Sequence, residues 1–145
     1  MKNIRLIVSL LASAAWLGSA PAGAADMATD AAQVATQGAA IPGIQEAVAA
    51  AAGYQSSDIE IHSTAHQITL TVVNSKLYDA PPAGRSSEAL KMIQALEKSI
   101  AGQPEFAQVM MVHVDYLSRH GAESKTVQGF DFNKAPSGSF VLHTT

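Results

Sequence analysis

Hydrophobic and polar positions divide this chain into helix-like and strand-like stretches. The clearest helical pattern runs from Ser86 to Gly102, where the apolar residues recur at steps of three and four: Leu90, Ile93, Leu96 and Ile100. Ser86 and Ser87 favour a helix start, and Gly102 favours its end. A second, shorter helix is predicted over Ile44–Ala52, with Ile44, Val48 and Ala51 facing inward. A helix with a single apolar stripe needs an apolar partner, which strand-like runs on both sides can provide.

A period of two predicts strands before and after the central helix. Asp58–Val73 alternates in two runs whose short connection favours a hairpin. The run Phe106–Leu117 is apolar on both faces in its first half, so we place it centrally in the sheet. Thr126–Phe132 and Phe140–Leu142 complete a strand meander. The residues expected to face inward from the strands are Ile59, Ile61, Ile68, Leu70, Val72, Met110, Val112, Val114, Tyr116, Phe130, Phe132, Phe140 and Leu142.

The predicted element order is α-β-β-α-β-β-β. It indicates an α+β fold, a two-layer sandwich whose largely antiparallel sheet carries helices on one face. Over Ile44–Leu117 this layout resembles BON-type envelope modules, with a local echo at His66-Gln67-Ile68-Thr69-Leu70-Thr71, and it is also similar to small ferredoxin-like domains of secretion machinery. The glycines that a BON module has around that strand are missing. The resemblance therefore concerns the fold and implies no function.

The first residues have the features of an export signal. Lys2 and Arg5 precede an apolar core at 6–17, and the A-x-A pattern ending at Ala24 follows Pro21. We predict a signal peptide over 1–24, a flexible Ala-rich leader over 25–40 and a single α+β domain over 41–145. The expected location is the periplasm or the exterior of the cell. The apolar core is shorter than the roughly 20 residues that span a bilayer, so an uncleaved anchor is the less favoured alternative.

Composition narrows the possible functions. The chain has no cysteine, which excludes disulfides and thiolate metal sites. Loss of the two basic residues in the signal leaves seven basic and twelve acidic residues, a formal charge of −5. This acidic balance, without a basic cluster, argues against a nucleic-acid partner. No G-x-S-x-G, Walker or G-x-G-x-x-G motif occurs, so no nucleotide or organic cofactor is predicted.

Strand phase places a set of histidines and aspartates on the outward face of the predicted sheet: His62, His113, Asp115, Asp131 and His143. The side chains of His113 and Asp115 lie side by side, roughly 7 Å apart at the backbone. Histidine and carboxylate groups could bind zinc or another divalent ion, and an imidazole oriented by Asp115 could act as a general base. The alternative is an ordinary solvated sheet face.

Two further surfaces are candidates for contact with other molecules. The Pro-containing loop that leads to the central helix carries Tyr78, Asp79 and Arg85, which could form a contact loop or belong to a simple connector. An apolar strip is expected on the outward sheet face, from Val109, Met111, Val127 and Val141. Such a strip favours a protein partner or self-association, unless the leader or first helix covers it.

These observations favour an exported binding or assembly module without a catalytic motif. The alternative from another class is a metal-dependent or general-base hydrolase that uses His113, Asp115 and their outward neighbours. A third hypothesis is a small-ligand carrier, with its pocket between the helices and the loop at Pro81-Pro82.

Overall fold

The computed structural model describes residues 22–143, and the greater part of the predicted signal, residues 1–21, lies outside this range. It contains a five-stranded, mostly antiparallel sheet and two long helices, which confirms the α+β class. The elements in chain order are α1 (Ala22–Ala52), β1 (Ile59–Ser63), β2 (Gln67–Val73), α2 (Pro82–Ile100), β3 (Met111–His120), β4 (Glu123–Lys134) and β5 (Phe140–Leu142). Short 3₁₀ turns, Ser56–Asp58 and Pro104–Phe106, precede β1 and β3.

The strands lie in the sheet in sequence order, from β1 at one edge to β5 at the other. The predicted hairpin between β1 and β2 is present, and β3 occupies the central position expected for it. Strands β2 and β3 run parallel, connected by α2, whereas the other neighbours are antiparallel. Within the described range, neither long helix has the apolar length needed to cross a membrane.

One hydrophobic core joins both helices to alternate residues of the strands. In β3, Val112, Val114 and Tyr116 are buried, while the residues between them stay partly exposed. Phe130 packs edge-on against Tyr116, with ring centroids 6.0 Å apart. The predicted inward residues of the five strands are therefore confirmed except for Met110, which lies outside β3 and is exposed, and the residues between them form the opposite face of the sheet.

The N-terminal helix differs from the expectation. Residues 25–40, expected as a flexible leader, lie in α1, which continues without interruption through Pro42. The side-chain amides of Gln33 and Gln37 donate hydrogen bonds to the carbonyl of Glu105, at 2.9 and 2.8 Å. This part of the helix is thus attached by polar contacts, which the pattern of apolar residues does not indicate. Further along, Ala49 rather than Ala51 faces the core.

Helix α2 begins earlier than predicted. Pro82 occupies the first turn, where a residue without an N–H costs no hydrogen bond, so the helix starts there and not at Ser86. Its buried residues are Arg85, Ala89, Met92, Ile93 and Leu96. Leu90, predicted to be in the stripe, is 39% exposed. Ala89 and Met92, which the predicted apolar stripe did not include, thus face the core where Leu90 was expected.

The predicted apolar strip does not form as expected. Because Pro104–Phe106 makes a 3₁₀ turn, β3 begins only at Met111, and Val109 is fully buried in the core. Val127 packs partly against the core, next to an irregularity in the register of β3 and β4. Met110, predicted to face inward, is 56% exposed, and Val141 is 52% exposed.

Candidate functional site

The sheet face opposite the core brings three of the predicted site residues together. His113 lies directly across from Asp131 in the β3–β4 register, and Asp115 is two positions further along β3. The Nδ1 atom of His113 lies 2.5 Å from Oδ1 of Asp131. Its Nε2 atom lies 3.0 Å from Oδ1 of Asp115. Both ring nitrogens are therefore bound to carboxylates, and we call Asp131, His113 and Asp115 the Asp-His-Asp cluster.

Gly129 makes room for the cluster. It lies opposite Asp115 on β4, where a Cβ atom would approach Asp115 Oδ1 and His113 Cε1 and Nε2 to 3.2 Å each. Contacts this short force the neighbours to shift, so the absence of a side chain allows the imidazole to lie close to the backbone of β4. A glycine inside a strand commonly marks such a close approach.

Charge determines the protonation of His113. Partial burial disfavours the imidazolium, but the hydrogen bond to Asp131, the charge and hydrogen bond of Asp115 and the charge of Asp131 together outweigh it. The net effect raises the pKa of His113 above its usual value. Only the doubly protonated ring can donate to both carboxylates at once. The cluster therefore favours an imidazolium between two carboxylates.

The remaining outward histidines do not complete a ligand set. His62 belongs to the same row across the sheet, but Thr69 on β2 separates it from His113. Two strand spacings put their backbones roughly 10 Å apart. His143 lies at the other end of the row, where its backbone N–H donates a hydrogen bond to the backbone carbonyl of Asp131. Among the described residues, no group of three or more His, Asp or Glu side chains is arranged to hold a metal ion.

An ion pair lies on the same face. Arg119 of β3 contacts Glu60 of β1 through both guanidinium ends, at 2.7 and 3.3 Å. The hydrogen bond from Arg119, aided by its charge, lowers the pKa of Glu60 although slight burial opposes the shift. This pair bridges β1 and β3 across β2, and it leaves neither charge free for a ligand.

The predicted contact loop divides into an exposed part and a buried anchor. Tyr78 and Asp79 are exposed, Tyr78 by 47%. Arg85, expected in the loop, belongs to α2 and is buried. Its Nη1 atom donates to the carbonyls of Leu77, Tyr78 and Ala80, at 2.9, 3.1 and 2.8 Å. Arg85 therefore holds the loop in place from beneath and is not available as a surface contact.

A groove lies beside this loop, at the carboxyl ends of the parallel strands β2 and β3. Two adjoining cavities, of about 410 and 230 Å³, share the side chains of Tyr78, Ser118 and His120. Glu123 and Lys125 of β4 line the larger one. We call these five residues the carboxyl-end groove. Ligands of sheets with parallel strands commonly bind at this position, outside the strand ends.

The groove was missed because no motif marks it. The sequence pattern places the polar residues around His120 in a turn, yet β3 extends to His120, and the Ser118 hydroxyl lies 3.2 Å from its Nδ1 atom. Gln128 carried no signal either, although its Oε1 accepts from Nε of Arg85 at 2.6 Å. Gly129 lies inside the predicted strand Thr126–Phe132, and glycine is uncommon inside strands. It was therefore a clue to the Asp-His-Asp cluster, although not to the groove.

Comparison with known proteins gives no match of any kind: no family model, no curated protein and no solved structure is similar to this chain.

Proposed function

We propose that this protein is a small exported binding or assembly module and not a hydrolase. The observation that carries the proposal is the pairing of both His113 nitrogens with carboxylates. A general base needs a free nitrogen lone pair within reach of its proton, and a metal ligand needs the same lone pair. In the Asp-His-Asp cluster both nitrogens already contact carboxylate oxygens, so neither is open to a substrate or a metal ion.

The binding surface in this proposal is the sheet face that carries the cluster. It requires the two-layer arrangement predicted from the sequence, with both helices on one side of the sheet and the other side open to a second copy or another envelope protein. Support comes from the alternation of burial along β2 and β3, and from Val141 and Asp131, which are both more than half exposed. Internal pairing of the cluster gives this face a fixed shape, which lowers the entropic cost of binding.

Light scattering coupled to size exclusion tests the assembly directly. We expect the purified protein to self-associate or to form a defined complex with an envelope protein. Val141→Lys should weaken that association, because a charge would be desolvated in the contact. Leu90→Lys is the matched control, since Leu90 is an exposed apolar residue on α2. A monomer that captures no envelope component would refute the proposal.

Export has its own test. Trp16 is the only tryptophan in the chain and lies within the predicted signal. Cleavage near Ala24 should therefore remove all indole fluorescence from the exported protein, and its intact mass should begin after the A-x-A pattern. Retention of indole fluorescence in that protein would contradict cleavage at this site.

The hydrolase alternative is distinguished by metal analysis. For His113 to act as a base or ligand, Asp115 or Asp131 would first have to move away from its ring nitrogen. We expect the metal content of the wild type and of His113→Ala to be the same, and added zinc to leave the melting temperature of both unchanged. Zinc stabilisation that depends on His113 would revive the hydrolase hypothesis.

A further inference from the structure

We infer that the carboxyl-end groove binds a small zwitterion of the amino-acid type. The groove is a different surface from the sheet face proposed above, and the inference does not depend on self-association. It rests on two opposite charges without internal partners, on an exposed aromatic ring beside them, and on walls held by buried hydrogen bonds.

The two charges belong to Glu123 and Lys125, two positions apart on β4. In the β3–β4 register Lys125 faces Ser118 and Glu123 faces His120, so these four side chains share one face of the hairpin. Neither charge takes part in an ion pair among the described residues. Residues two apart on a strand are roughly 7 Å apart at the backbone. That spacing lets a molecule carrying both an ammonium and a carboxylate group meet both charges.

Neutral groups complete the site. Tyr78 offers a half-exposed ring against which an apolar or aromatic side chain can pack. Ser118 and His120 are paired with each other through Oγ and Nδ1, so Nε2 of His120 has no hydrogen-bond partner within residues 22–143. A small zwitterion would thus meet the Lys125 ammonium with its carboxylate and the Glu123 carboxylate with its ammonium, with polar and aromatic contacts between them, a composition typical of ligand pockets.

The walls are held before any ligand arrives. One guanidinium, that of Arg85, binds the β2–α2 loop through three carbonyls and β4 through Gln128. The Ser75 hydroxyl accepts from the N–H of Leu77 at 3.0 Å, which holds the start of the same loop. Prior ordering of a site reduces the entropic cost of binding.

A second cleft differs from the groove because its charged lining residues already have contacts within the chain. It has a volume of about 470 Å³ and lies at the end of α2, with Glu97, Phe106, Lys134 and Phe140 among its lining residues. The Glu97 carboxylate already accepts the N–H of Phe140 at 2.5 Å, and Lys134 lies near the Phe140 ring and the carbonyl of Ala107. Both charged side chains thus already have contacts within the chain, so this cleft is the weaker candidate.

Calorimetry with three matched probes tests the inference: L-phenylalanine, 3-phenylpropionate, which lacks the amine, and phenethylamine, which lacks the carboxylate. We expect L-phenylalanine to bind at least about 10-fold more tightly than either analogue, since each loses a charge-assisted contact. Lys125→Gln and Glu123→Gln should each weaken L-phenylalanine binding by about the same factor. Lys98→Gln, an exposed change on α2, should leave it unchanged.

Three results would overturn the inference. Equal binding of 3-phenylpropionate would show a simple anion site, and equal binding of phenethylamine a simple cation site. No binding of L-phenylalanine or of the other common neutral amino acids would show that the groove has no such ligand. Because the five groove residues lie apart from Val141 and the Asp-His-Asp cluster, none of these results bears on the self-association test.

Discussion

The Asp-His-Asp cluster and the carboxyl-end groove both contain a histidine and charged side chains, but in the cluster these are paired within the chain, and in the groove they make no ion pair among the described residues. In the cluster, His113 contacts both Asp131 on the next strand and Asp115 two positions away, so every charged group already has a partner within the chain. In the groove, Glu123 and Lys125 make no ion pair within the described part of the chain. The residue types of the cluster are more typical of a catalytic site, yet the groove has more charged groups that are open to a ligand.

The comparison shows that availability, rather than residue identity, distinguishes a site from a structural network. A buried or half-buried polar group gains most when it is paired internally, and such pairing removes its affinity for outside partners. Free charges along a preorganised wall retain that affinity.

Arg85→Met should have the largest effect, because Arg85 joins the loop beside the groove to β4 through Gln128. The substitution removes every hydrogen bond that the guanidinium gives to the β2–α2 loop and Gln128. Leaving these partly buried carbonyls and the Gln128 side chain without this donor should destabilise the fold by about 2–4 kcal/mol, measured by urea unfolding. Lys91→Met, an exposed change on the same helix, is the control. Equal stability of the two variants would contradict the anchoring role of Arg85.

Gly129→Ala should disturb the cluster and spare the groove. The new Cβ would lie 3.2 Å from atoms of Asp115 and His113, so the cluster must shift, at a cost of about 1–2 kcal/mol in unfolding free energy. Gly43→Ala is the matched control, because a Cβ there meets nothing within 4 Å. That change lies inside α1 and should stabilise by roughly 0.5–1 kcal/mol. The same sign of effect at both glycines would argue against close packing at Gly129.

His113→Gln should have a smaller effect, and one that depends on pH. The raised pKa of His113 means that its stabilisation is complete below the ordinary histidine value of about 6.5 and is lost as the pH rises through the higher folded-state value. The groups that face it are Asp115 and Asp131, with Thr69 between it and His62. Because the cluster is partly exposed, the difference should stay below about 1 kcal/mol.

Urea unfolding of wild type and His113→Gln at about pH 6 and about pH 9 measures this dependence. The advantage of the wild type should shrink at the higher pH. An advantage that grows with pH would mean that His113 is neutral in the folded protein, which would make one of its nitrogens available after all.

Glu60→Gln should have the smallest effect. Its partner Arg119 lies at the surface, where solvent and salt screen the ion pair. The lowered pKa of Glu60 makes any stabilisation present above the ordinary glutamate value of about 4.3, and this stabilisation is lost as the pH falls. We expect a shift in the unfolding midpoint only at low salt. A large loss that persists at high salt would show that this pair organises the sheet face.

The sequence pattern predicted what depends on local periodicity. Alternation identified the strands, and the phase of β3 and β4 correctly placed His113, Asp115 and Asp131 on one face. The contact between His113 and Asp131 needed the pairing register as well, because residues eighteen apart in sequence meet only when the register is known. No rule of composition or spacing supplies that register.

Features stabilised by polar or non-local contacts could not be predicted in this way. The first half of α1 lacks an apolar stripe and is attached through Gln33 and Gln37. Arg85 reads as a surface charge until its carbonyl partners are known. The groove combines a loop, the end of β3 and the start of β4, which are distant in sequence and adjacent only in the folded chain.

Long-range proton–nitrogen spectra of the imidazole rings test the central difference between the two regions most directly. The expected result at neutral pH is that both nitrogens of His113 are protonated and do not respond to L-phenylalanine, while the His120 nitrogen resonances shift as it binds. A His113 ring with one unprotonated nitrogen, together with His120 resonances that do not respond to L-phenylalanine, would contradict it.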